Sequence, residues 1–111
     1  MIRIRSFGLA AFLIMASAAA WADEPTVLKL TLKGNKFDPI ETTAPANKPL
    51  VLEITNVDAT PAEFESKPLR AEKVIAAGGK ITVQIRPLPP GRYRFFDDYH
   101  EATTEGFLVV K

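Results

Sequence analysis

Along most of the chain the hydrophobic positions recur at every second residue. Leu28, Leu30 and Leu32 alternate with Lys29, Thr31 and Lys33, after which Gly34-Asn35 supplies a turn. Leu50, Leu52 and Ile54 alternate with Val51, Glu53 and Thr55 as far as Asn56, and Ile81, Val83 and Ile85 alternate with Thr82, Gln84 and Arg86. Tyr93 and Phe95 alternate with Arg92 and Arg94, and Phe107 to Val110 closes the chain as an apolar run. Successive side chains on a strand point to opposite faces, so this period predicts half-buried strands bounded by Gly, Pro or Asn. No stretch sustains apolar residues at helical spacing. Leu69 to Ala77, ended by Gly78-Gly79, reads equally as a helix or a strand. The expectation is an all-β fold, an antiparallel Greek-key β-sandwich of about seven strands.

The prolines agree with this division. Pro45 and Pro49 precede one strand, and Pro87, Pro89 and Pro90 precede another. A proline cannot donate to a ladder, so it marks strand starts and discourages pairing at edges.

The first residues follow a different pattern. Arg3 and Arg5 form a basic start, Phe7 to Ala20 is almost wholly apolar or small, and Ala20-Trp21-Ala22 gives an A-x-A cleavage signature. This is the pattern of a secretory signal peptide over residues 1–22, leaving residues 23–111 as a single domain in the periplasm. A transmembrane anchor is the rival reading, but an apolar run of about 15 residues falls short of the roughly 20 a span needs. Cleavage would take the 14 Lys+Arg to 12 against 13 Asp+Glu, so the formal charge of +1 becomes −1. Neither value gives a polyelectrolyte reason to bind nucleic acid or an anionic membrane.

The chain has no Cys and one His. That excludes a disulfide scaffold, a thiolate nucleophile, an iron–sulfur cluster and a thiolate-ligated copper. The two Met residues, Met1 and Met15, both fall in the expected signal peptide, which argues against Cu(I) handling. Two charged clusters remain. In Pro61-Ala62-Glu63-Phe64-Glu65-Ser66, a strand with Phe64 in the core puts Glu63 and Glu65 together outside. In Phe95-Phe96-Asp97-Asp98-Tyr99-His100-Glu101, the sole imidazole stands beside three carboxylates. Carboxylate oxygens suit hard cations and imidazole suits borderline transition metals, so a metal ion is the natural neutralising partner. Solvated loop charges are the plainer alternative. A carboxylate pair for glycoside hydrolysis can be written from Glu63 and Asp97, but so small a domain offers little cleft for a sugar.

The segment Leu88-Pro89-Pro90-Gly91-Arg92-Tyr93-Arg94-Phe95-Phe96, followed by Asp97-Asp98-Tyr99-His100 and Gly106-Phe107-Leu108-Val109-Val110, resembles the C-terminal copper-site segment of cupredoxins. Upstream, Phe37-Asp38-Pro39, Ala44 to Leu50, Leu52, Ile54 and Asn56 resemble the cupredoxin approach to its first His ligand. The resemblance covers residues 26 to 111 and implies a cupredoxin-like sandwich. Against that pattern, Asp97 stands where a blue-copper protein has its thiolate, and His100 keeps the loop His. Thr103 or Thr104 falls near the Met, and Glu63 falls where the first His is expected. A blue electron-transfer centre is thereby excluded.

The altered pattern is similar to Cys-free cupredoxin components of bacterial iron-uptake systems built on an Ftr-type permease. That resemblance implies binding of iron or copper, and an Fe(II)-oxidising activity before handover to a membrane iron permease. It implies Asp97 and His100 as ligands with Glu63 from the opposite loop. Glu65, Asp98 and Glu101 would then be further ligands or a negative funnel for cations. A metal-free docking module on the same fold is the competing expectation.

Overall fold

The computed structural model describes residues 24–111. The expected signal peptide, residues 1–22, lies outside the described residues. Among the described residues, nine strands form two sheets. One contains β1 (Thr26–Lys33), β2 (Lys36–Asp38), β4 (Leu50–Asn56) and β7 (Lys80–Ile85), in the order β2-β1-β4-β7. The other contains β3 (Glu41–Ala44), β5 (Ala62–Ser66), β6 (Ala71–Ile75), β8 (Gly91–Asp97) and β9 (Glu105–Val110), in the order β3-β9-β8-β5-β6. A 3-10 turn, Asp98–His100, follows β8.

The all-β sandwich is the expected one, with two differences. β1 pairs with β4 and β3 with β9 in parallel, so both sheets are mixed rather than purely antiparallel. The strand count rises above seven because β2 and β3 span only three and four residues, too few to show alternation. The ambiguous Leu69–Ala77 stretch contains β6, an edge strand whose three central residues are all exposed.

Burial follows the predicted period. Leu50, Leu52, Ile54 and Asn56 of β4 are buried and the residues between them only half so. In β5, Ala62, Phe64 and Ser66 face inward while Glu63 and Glu65 face out. Phe37, Phe64 and Phe95 meet at the centre. The Phe37 ring stands edge-on to Phe95 at 5.0 Å between centroids, and Phe64 lies 5.3 Å from Phe95. Edge-to-face pairing of this kind adds about 0.5–1.5 kcal/mol beyond area burial. Gly106 of β9 lies against this cluster, where a Cβ would sit 2.5 Å from Phe95 Cε1.

Two polar knots fix the loops at the end of the sandwich nearest Asp97. Gly34 and Asn35 both take positive φ, the conformation of a two-residue hairpin turn, and close β1 onto β2. The Asp58 carboxylate accepts from Gly34 N at 2.6 Å and Asn35 N at 2.9 Å. Those two amide donors hold its pKa below the ordinary value. Asn56, fully buried, donates from Nδ2 to Thr60 O at 2.9 Å and accepts at Oδ1 from Asp58 N at 2.9 Å. The 57–61 connection is thereby held in place, and with it the start of β5 that carries the first acidic cluster.

Candidate metal centre

The β5–β6 hairpin and its neighbour β8 set out the acidic groups. Glu65 pairs in register with Glu72 on one side and with Phe96 on the other. Glu63 and Glu65 share the outer face of β5, and Glu72 lies opposite Glu65, so three carboxylates occupy one patch of sheet. Among the described residues, Glu63, Glu65 and Glu72 are the one group of three metal-ligating side chains whose ligand atoms all lie within 4.8 Å of one another. None of the three has a Lys or Arg nitrogen within ion-pair distance among the described residues. The pKa of Glu63 is raised by partial desolvation first, then by Glu72 and Asp98. Glu65 is raised by partial desolvation first, then by the charges of Asp98, Glu72 and Glu101. Like charges crowded on a half-buried face disfavour ionisation, and a cation relieves that penalty.

A hollow of about 430 Å³ adjoins the patch, bounded by Glu65, Lys67, Arg94, Phe96, Asp98 and Glu101. Arg94 lies over the Phe96 ring at 4.6 Å and pairs with Glu105 at 2.6 Å and Glu101 at 3.3 Å, which leaves Asp98 facing Glu63 and Glu65. A slightly larger hollow of about 480 Å³ lies on the other sheet, between Pro25, Pro49, Val51, Gln84 and Arg86. It gathers no acidic group and offers nothing to a cation.

Asp97 and His100 sit apart from this patch. Asp97 belongs to the inward set of β8 with Phe95, on the side opposite Glu63 and Glu65, and is 1% exposed. Its Oδ1 accepts from Glu63 N at 2.9 Å and Tyr99 N at 3.0 Å, and Oδ2 lies 3.0 Å from His100 Nδ1. Glu63 therefore meets Asp97 through its backbone amide, not its carboxylate. The His100 side chain is 39% exposed. Of the six residues singled out in the sequence, the structure brings Glu63 and Glu65 together, with Asp98 and Glu101 on their flank, and holds Asp97 with His100 separately. Glu72 is the member sequence reasoning missed. Its signal was the hairpin register across Lys67–Arg70, hidden by the ambiguous pattern of Leu69–Ala77.

The copper that the resemblance implies does not fit the Asp97 end. Asp97 and His100 are the strong donors there among the described residues, while Thr104 Oγ1 donates to Asn35 O at 2.6 Å, Thr103 Oγ1 to His100 O at 3.4 Å, and Ala62 offers a methyl. The chemistry of three carboxylates does fit a hard or borderline cation on the outer face.

Comparison with known proteins bears on the fold and the family. The model of the cupredoxin-like domain family matches residues 6–110. An uncharacterized protein of Rickettsia prowazekii (strain Madrid E) is 39% identical over 83 residues, covering 75% of this chain, and the chain spans 66% of that relative's length. Among solved structures, auracyanin A, a "blue" copper protein from Chloroflexus aurantiacus, superposes with a TM-score of 0.68 at 15% identity. The match covers 79% of this chain and 100% of auracyanin A. The metal-binding domain of the Streptococcus pneumoniae D39 Cu(I)-exporting P-type ATPase gives a TM-score of 0.68 at 11% identity, over 77% of this chain and 84% of that one. A purple cupredoxin from Nitrosopumilus maritimus gives 0.58 at 15%, over 75% and 98%. At these identities the structures share the fold alone.

Proposed function

This chain belongs to the cupredoxin-like domain family, and from that membership we propose that it is a cation-binding member that works through carboxylate oxygens instead of a thiolate. The observation that carries the reading is the convergence of Glu63, Glu65 and Glu72 on one face, with no Lys or Arg nitrogen in ion-pair distance among the described residues. These three would hold the ion, with Asp98 beside them and Glu101 at the rim. Anionic oxygen donors favour Fe(III) over Fe(II) and Cu(II) over Cu(I), so iron or type-2-like copper is the cargo the face would accept.

Iron is the more specific assignment. It rests on the resemblance of Glu63-Phe64-Glu65-Ser66 and Phe95 to His100 to components of bacterial iron-uptake systems. On this reading the protein binds iron in the periplasm, stabilises the ferric state, and delivers the ion to a membrane permease. Calorimetric titration of the mature chain with Cu(II) and with iron should show stoichiometric binding that is abolished in the Glu63→Gln, Glu65→Gln, Glu72→Gln variant. Equal affinity in the variant would overturn the reading.

The three protein groups already on Asp97, two amides and the His100 ring, favour a second reading, a metal-free docking domain. On that reading the elemental content of native protein would be substoichiometric and titration would detect no ion.

A further inference from the structure

The sandwich end at which the family resemblance places copper ligands is closed by hydrogen bonds. Two backbone amides from different elements, Glu63 N of β5 and Tyr99 N of the 3-10 turn, converge on Asp97 Oδ1. A carboxylate only accepts, so the proton in the 3.0 Å contact at Oδ2 belongs to His100 Nδ1. The turn is fastened from the other side as well. Thr103 N and Thr104 N both donate to His100 O, at 3.1 and 3.0 Å, and Asp97 N donates to Thr104 O at 2.9 Å. A metal taking Asp97 Oδ1 would displace two part-buried amides, whose loss of partners is itself costly, and one taking Oδ2 would displace the His100 Nδ1 contact.

We infer that Asp97 and His100 form a hydrogen-bonded clasp in place of a copper pocket. They are positioning residues: the clasp ties the turn bearing Asp98 to the backbone of Glu63, and so holds Asp98 beside the outer carboxylate face. His100 is held as the Nδ1–H tautomer, and among the described residues the one group of three ligating side chains leaves it out, so Nε2 has no companion ligands with which to hold a metal. This inference is independent of whether the outer face binds a cation.

The chain has one His, so protein labelled with ¹⁵N-histidine shows a single imidazole in the nitrogen NMR spectrum. At about pH 8.5, above the ordinary imidazole range, the metal-free protein should show Nδ1 protonated and Nε2 bare. Asp97→Asn should reverse this. Its one oxygen remains committed to the two amides, so its NH₂ faces the ring and can only donate, which forces the Nε2–H tautomer. One equivalent of Zn(II) or Cu(I) should shift neither ring nitrogen in the parent protein. An Nε2–H tautomer in the parent, an unchanged tautomer in Asp97→Asn, or a stoichiometric metal shift at either nitrogen would overturn the clasp. The parent spectrum decides the matter even if the variant does not fold. Absence of Zn(II) binding, seen by calorimetry, would count against the carboxylate face while leaving the tautomer result to judge the clasp.

Discussion

Replacing Asp97 by alanine removes both acceptor oxygens from the point where β5, β8 and the 3-10 turn meet. The amides of Glu63 and Tyr99 lose their partner, and His100 Nδ1 loses its own. An unsatisfied donor costs about 1–3 kcal/mol when water cannot replace the bond. Both amides are only part-buried, so the lower half of that range applies, and the pair together costs about 2–4 kcal/mol. That is a large share of the roughly 5–15 kcal/mol by which domains are stable. Asp97→Asn keeps an oxygen for the two amides and should cost about 1 kcal/mol or less. Urea unfolding followed by circular dichroism reads the difference as a shift in midpoint at constant slope. The reasoning fails if the alanine variant lies within about 0.5 kcal/mol of the parent, or if asparagine costs as much as alanine.

Gly106→Ala places a methyl 2.5 and 2.6 Å from Phe95 ring atoms and 3.0 Å from Ile40 O. Overpacking of this kind costs about 1–3 kcal/mol, so the melting temperature should fall by about 5–15 °C, and Phe95→Leu in the same chain should recover part of it. The two amide bonds that lower the Asp58 pKa stabilise the fold above its ordinary value of 3.8, and the contribution is lost as pH falls through the folded value. Asp58→Ala should therefore destabilise at pH 7 and lose its effect in strong acid, as thermal melts across pH would show. Glu65 has the opposite sign. Its folded pKa lies above the ordinary 4.5, so stability is fullest in acid and declines as pH rises through the folded value. Glu65→Gln should melt higher than the parent at pH 7 and equal to it near pH 3.

The strands with a sustained period of two were legible because burial on a sheet follows that period, and Phe64 lies in the core with Glu63 and Glu65 outside as the alternation required. What the pattern could not supply was pairing. The parallel contacts of β1 with β4 and β3 with β9 join segments distant in the chain, and side-chain faces alone do not choose partners. β2 and β3 were too short, and β6 too exposed, to declare themselves. The candidate ligand set of Glu63, Asp97 and His100 shows the cost of omitting register. The same alternation that puts Phe95 inward puts Asp97 inward with it, and the pairing of Phe64 with Asp97 leaves the Glu63 carboxylate on the other side of the sheet. Glu72 entered the patch only through its pairing with Glu65.

On the proposed reading this family member binds its cation on the outer carboxylate face of the five-stranded sheet. The decisive measurement is X-ray absorption at the iron edge on protein loaded with one equivalent of iron and desalted, beside the Glu63→Gln, Glu65→Gln, Glu72→Gln variant. The iron in the parent should have a first shell of oxygen alone, and the variant should retain no iron. Stoichiometric iron surviving in the variant, or an imidazole nitrogen in the parent's first shell, would contradict that reading.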